Sequence, residues 1–287
     1  MRSSGIKNFK SGLWRVRQRL IHVFKPWLGL FHPPVVIYSM GKVGSTSVQT
    51  TLEKLHLPNP IFHIHFLSWN TLNTLEESSR SLGHYAGHIE AGKYLRAFAD
   101  RTWGRVRWKI ITLVREPVGR EISDLFENLY VFPQLEHLSG DDLAQASILH
   151  LQGVLADFIE TDDYACNWFD RELKQVFGFD VYTAGFDPLK GYAIYSAQHA
   201  DILLIRLEDL SRCGAQALQT FLGIQSLQME TANVGEQKLN RQVYRQVVKS
   251  ISFPAVILEK IYHSRYARHF YSDAEILAFK ERWGKQI

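Results

Sequence analysis

Short unbroken apolar runs recur along the chain, and helix-like spacing fills the stretches between them. Val35–Tyr38 (VVIY), Trp108–Val114 (WKIITLV) and residues 202–207 (ILLIRL) read as buried strands. Residues 61–67 (IFHIHFL) read as another. Residues 85–89, 181–182 and 193–195 read as shorter ones. Residues 48–55 read as a helix. So does the segment opened by Pro117, which carries Ile122, Leu125, Phe126 and Leu129. Residues 142–177 and the C-terminal third read as mostly helical. Apolar strands alternating with helices predict an α/β fold, a three-layer parallel sheet flanked by helices with a helical C-terminal part. No internal repeat or low-complexity linker breaks the pattern.

Composition narrows this picture. Hydrophobic residues make up 46% and charged residues 22% of 287 positions, the mix of a globular protein with a sizeable core. The two cysteines, Cys166 and Cys213, are too few and too scattered for a disulfide scaffold or a zinc site, and suit a reducing compartment. The expected location is therefore cytoplasmic.

Charge is unevenly spread. No acidic residue precedes Glu53, while Arg2, Lys7, Lys10, Arg15, Arg17, Arg19 and Lys25 alternate with apolar residues. Residues 1–32 thus read as a basic amphipathic helix, ended by Pro33-Pro34. It is able to lie on the inner membrane face or to pack on the remaining domain, residues 33–287. It lacks the apolar core and cleavage site of a secretory signal. Nothing points to a nucleic-acid partner.

Residues 39–47 (SMGKVGSTS) leave the first strand and enter a helix. Backbone N–H groups in such a turn converge on an anion, the helix N-terminus adds donors, and Gly41 and Gly44 permit close approach. Lys42 precedes Gly44-Ser45-Thr46, so the order is not that of an ATP-binding Walker loop, and no hydroxyl follows the lysine where magnesium would be held. A plain strand-to-helix turn with a serine cap is the bland alternative. A second element follows the 108–114 strand. Arg115 leaves the strand tip and Ser123 lies two helical turns on, a guanidinium and a hydroxyl suited to phosphate. Arg120 and Glu121 read as solvated helix charges.

Taken together, these two elements resemble the sulfotransferase superfamily, whose members transfer a sulfuryl group from 3′-phosphoadenosine 5′-phosphosulfate (PAPS). The K-x-G-[ST]-[ST] core looks like its 5′-phosphosulfate loop, and R-x-P-x-x-R-x-x-S looks like its 3′-phosphate element. The resemblance covers residues 35–130 and, loosely, Leu-Glu-Asp-Leu at 207–210. It is closer to carbohydrate sulfotransferases. Residues 85–89 (YAGHI) are similar to a histidine-bearing segment of uronyl 2-O-sulfotransferases, with His88 kept and Ala86 at the second histidine position. Residues 167–170 (NWFD) and the tail after Tyr262 look like a bacterial group named for capsular polysaccharide synthesis.

The resemblance implies a P-loop-like sheet and donor contacts from Gly41, Lys42, Val43, Gly44, Ser45, Thr46, Ser47, Arg115 and Ser123. It also implies a late basic contact from Lys238, with Arg241 beside it. Lys42 would stabilise the leaving oxygen and His88 would be the general base, with Glu90, His63 and His65 in reserve. PAPS would be the donor, with no metal required, and the partner would be a carbohydrate acceptor. Asn167, Trp168 and Tyr244 suit an acceptor cleft or plain packing. Two other readings compete, a P-loop nucleotide kinase and a non-catalytic nucleotide-binding component of polysaccharide synthesis. The sequence leaves oligomeric state open.

Overall fold

Five strands form one sheet in the order β2-β1-β3-β5-β4. In this computed structural model, which describes residues 31–81, 87–127, 148–161, 164–230 and 241–284, β1 (Val35–Tyr38), β2 (Ile61–Ile64), β3 (Trp108–Val114) and β5 (Ala200–Arg206) run parallel. The interior strand β1 is wholly inaccessible to solvent along its length. That burial on both faces explains why its sequence is continuously apolar instead of alternating. The expected α/β class, a mostly parallel sheet flanked by helices, is what the chain adopts.

Helices α1 (Ser45–Lys54), α2 (Trp69–Ser81) and α3 (Gly87–Thr102) occupy the first two crossovers. Then come α4 (Pro117–Glu127), α5 (Ile148–Thr161) and α6 (Tyr164–Trp168). The last continues through a π-helical turn (Phe169–Lys174) into α7 (Gln175–Phe177). After β5, a 3₁₀ turn (Leu207–Asp209) leads into α8 (Leu210–Leu222). The C-terminal helices are α9 (Arg241–Ser250), α10 (Ala255–Tyr262), α11 (Arg265–Phe270) and α12 (Asp273–Gly284).

Several expected elements differ. Residues 87–89 begin a helix, not a strand, because Ile89, Leu95, Phe98 and Ala99 bury one face at helical spacing. Val181–Thr183 is a 3₁₀ turn, since the Asp180 carboxylate accepts from the Tyr182 N–H at 3.1 Å. The 193–195 strand exists as β4 (Tyr192–Ser196), but it is antiparallel to β5. Ala197 N bonds to Ala200 O at 2.8 Å, and so tight a turn cannot make a parallel crossover. Strand β2 ends at Ile64, short of residue 67, and α1 starts three residues before position 48. Residues 1–30, 85, 86 and 233–238 lie outside the described residues, and with them the expected N-terminal helix and Lys238.

The strand order positions the site. From β1 the chain crosses to β2 on one side, and from β2 it returns past β1 to β3. Right-handed crossovers put the two connections on opposite faces. From β3 the chain goes on to β4 and β5 on the other side of β1, so the loops after β1 and β3 part at their carboxyl ends, which is where open α/β sheets bind ligands.

Candidate functional site

The turn after β1 is built for close approach. Lys42 (φ 69°) and Gly44 (φ 82°) both take left-handed backbone conformations. A Cβ at Gly44 would overlap the Leu207 side chain. At Gly41 it would meet nothing within 4 Å, so this side of the turn is open. Val43 is fully buried and roots the turn in the core. No side chain caps α1 and its first turn carries no acid, leaving the leading amides Ser45 and Thr46 available to an anion. Ser47 N bonds to Gly44 O at 3.1 Å, closing the turn.

The second element is held against the first. Arg115 Nη1 donates to the Lys42 carbonyl at 3.0 Å. Its Nε and Nη2 lie beside Gly119, each 3.7 Å from where a Cβ would stand. Ser123 and Glu127 follow Gly119 at four-residue intervals on α4, one stripe along the helix. Glu116 caps this helix, accepting from Val118 N and Gly119 N at 2.8 Å each. The C-terminal helices clamp the same corner. Tyr262 Oη donates to Glu116 Oε1 at 2.5 Å, and Trp283 Nε1 donates to Glu116 Oε2 at 3.3 Å. Tyr266 Oη accepts from Arg115 N and donates to Arg115 O.

Arg120 and Glu121 are not solvated charges. Arg120 is 2% and Glu121 7% exposed, and they pair at 2.5 Å, with Asp124 at 3.6 Å from the guanidinium. Burial works against the Arg120 charge, but Glu121 and Asp124 outweigh it and hold the group protonated. The guanidinium also lies 4.9 Å over the Tyr164 ring, and the Tyr164 hydroxyl is bonded to the backbone of Gly41.

Lys42 reaches from the turn to α4, its Nζ 3.1 Å from Glu127 Oε2. Burial, with Arg120 and Arg115 nearby, brings its ammonium down to about 8, against the pull of Asp124. Lys42, Arg115 and Arg120 thus share one corner with Glu121, Asp124 and Glu127.

The histidines divide. Both ring nitrogens of His63 are engaged, by Gln49 Oε1 at 2.6 Å and Ser45 Oγ at 2.9 Å, and burial beside His65 brings it down to about 4. His65 Nδ1 bonds to Ser39 O at 2.7 Å. Both side chains brace the turn. His88 lies in the first turn of α3, one turn before Gly92, where a Cβ would come within 2.6 Å of the Phe66 carbonyl. The backbone at Gly92 therefore lies against the segment after β2, and Glu90 shares the first turn with His88.

Trp168 is core, 1% exposed, with its ring 4.9 Å from Tyr38 and Nε1 bonded to His65 O. Asn167 is half-buried, and Tyr244 packs edge-on to Phe126 at 5.3 Å. Among the described residues no cluster of His, Cys, Asp and Glu could hold a metal ion, and no helix is long and apolar enough to cross a membrane.

Sequence reasoning missed Glu116, Glu127, Tyr164 and Glu172. Only Glu116 carried a local signal, standing directly before a proline at the first helical position. Glu172, on the π-helical turn, bonds Tyr38 Oη and accepts from Leu67 N and Ser68 N at 2.8 and 2.9 Å. It ties the ends of β1 and β2 together behind the turn.

The fold and corner define an α/β protein whose glycine-bearing turn after β1 is open on one side and stands beside Arg115. Residues 147–272 are similar to the family described as "putative capsular polysaccharide synthesis protein". No curated protein and no solved structure matches the chain. The similar segment contains neither the turn after β1 nor the start of α4, yet it supplies Tyr164, Glu172, Leu207, Tyr262 and Tyr266, which pin both.

Proposed function

We propose that the protein transfers a sulfuryl group from PAPS to a hydroxyl of a carbohydrate, a capsular or other extracellular polysaccharide or its precursor. One contact carries the reading. The bond from Arg115 Nη1 to the Lys42 carbonyl sets two elements, each suited to an anion, side by side. A nucleotide with phosphate at its 3′ position and phosphosulfate at its 5′ position needs such a pair. The similarity of residues 147–272 to a capsular polysaccharide synthesis family supports a glycan acceptor.

The leading amides of α1 and the backbone from Gly41 through Val43 and Gly44 to Ser47 would hold the 5′ anion. Arg115 and Ser123 would hold the 3′-phosphate. During transfer the acceptor oxygen bonds to sulfur while the bond from sulfur to the bridging phosphate oxygen breaks. Lys42 stabilises the charge growing on that oxygen, and His88 takes the acceptor's proton. Catalysis of this type is positioning plus electrostatics, as in phosphoryl transfer.

The test is calorimetry with adenosine 3′,5′-bisphosphate, followed by transfer of radiolabelled sulfate from PAPS to cell-envelope polysaccharide. Binding and transfer are expected. Absence of binding overturns the reading, binding without transfer favours a non-catalytic component, and magnesium-dependent ATP turnover favours a kinase. His88→Ala should bind the bisphosphate normally and lose transfer.

A further inference from the structure

The lysine of the turn after β1 has a carboxylate partner on α4. Lys42 Nζ meets Glu127 Oε2 at 3.1 Å, its side chain is 21% exposed, and Glu127 is 39% exposed. This carboxylate has no part in the donor contacts. It stands one turn beyond Ser123 on the stripe that begins at Gly119, so any 5′ anion entering the turn must compete with it for the ammonium.

The other acids of the corner are less exposed and make no direct contact with the Lys42 ammonium. Glu121 pairs with Arg120, which is buried and cannot turn outward, and Asp124, 3.6 Å from the same guanidinium, is shared between Arg120 and the Lys42 ammonium. Glu116 is bound by Tyr262, Trp283 and the α4 amides. Glu127 alone among these carboxylates combines an exposed position with a direct hold on Lys42. A half-exposed pair of this kind is weak, so it exchanges readily.

We infer that Glu127 is the exchangeable counter-ion of Lys42. It holds the ammonium while no nucleotide is bound and releases it to the donor's 5′ anion. It takes the ammonium back as the bisphosphate product leaves. Glu127 acts through Lys42 and is a positioning residue. The inference rests on the proposed sulfotransferase site.

Three ligands measured by calorimetry on wild type and Glu127→Gln test it: adenosine 3′,5′-bisphosphate, adenosine 5′-monophosphate and adenosine 3′-monophosphate. The substitution should tighten the first two about two- to five-fold and leave the third unchanged. In turnover it should lower KM for PAPS and, by slowing product release, lower kcat as well. Unchanged affinity for the 5′ ligands, or an equal gain for the 3′ ligand, overturns the counter-ion role while leaving the transfer reading intact.

If no nucleotide binds either protein, the donor reading fails on its own. Acylation of Lys42, read by peptide mass spectrometry, then decides the exchange with inorganic sulfate as the probe. Stronger protection by sulfate in Glu127→Gln than in wild type sustains it, and equal protection overturns it.

Discussion

Tyr262 donates its phenolic hydrogen to Glu116 Oε1 at 2.5 Å across 146 positions of sequence, and so ties α10 to the cap of the helix that carries Ser123. Tyr262 is 1% and Glu116 5% exposed, so water cannot replace the lost donor. Tyr262→Phe should cost about 1–3 kcal/mol, the penalty for a buried acceptor left short of a partner. Thermal unfolding should drop by several degrees. An unchanged Tm would mean that the α4 amides and Trp283 satisfy Glu116 unaided.

Glu172 offers a test by pH. Burial raises its carboxyl above the ordinary value, against the N–H groups of Leu67 and Ser68 and the hydroxyls of Thr71 and Tyr38. An acid whose folded pKa is raised stabilises the fold fully below its unfolded value, about 4.3, and loses that contribution as pH climbs through the folded value. Glutamine has no such dependence. The urea midpoint of wild type minus that of Glu172→Gln should therefore shift against wild type between pH 4.5 and 7.5. A constant difference would show that the donors fully offset the burial.

The sheet was largely legible in the sequence, because a strand buried on both faces leaves a mostly apolar run, and Val35–Tyr38, Trp108–Val114 and Ala200–Arg206 all carry one. The two strand-end elements could be picked out as well, since glycine, lysine and arginine there have local meaning, and the structure sets them side by side. The pins behind them were not. Tyr38 and Glu172 are 134 positions apart, and Arg115 and Tyr266 are 151 apart. Nothing in local periodicity marks a tyrosine as the partner of a distant carboxylate. Arg120 misled for a related reason: on one helix it has the spacing of a surface charge, and the Tyr164 ring that lies over it comes from α6.

The depressed Lys42 ammonium predicts how ligand affinity depends on pH. Its value near 8 leaves it charged at neutrality and largely neutral at pH 9. An anion held by Lys42 therefore binds fully below that value and progressively more weakly above it. The dissociation constant of adenosine 3′,5′-bisphosphate should be flat from pH 6.5 to 7.5 and rise several-fold by pH 9. Lys42→Arg, which stays charged throughout, should bind with no such rise. A rise that persists in Lys42→Arg would assign the titration to another group.

Gly41 and Gly44 separate the turn's structural need from its ligand-binding need. Gly44→Ala places a methyl group on Leu207 and forces alanine to a φ of 82°, so both sterics and backbone strain oppose it. It should lower Tm measurably and weaken binding only as part of that general damage. Gly41→Ala adds a methyl group where nothing lies within 4 Å, at a residue with no positive φ. The fold should tolerate it, with Tm unchanged or slightly raised by the lost freedom of the unfolded chain. If the open side of the turn is where the 5′ anion lies, the same methyl group occupies the ligand's place. Affinity for adenosine 3′,5′-bisphosphate should then fall at least about tenfold, or about 1.4 kcal/mol. A stable Gly41→Ala protein that binds as tightly as wild type would move the anion away from this face of the turn, and with it the role assigned to Lys42.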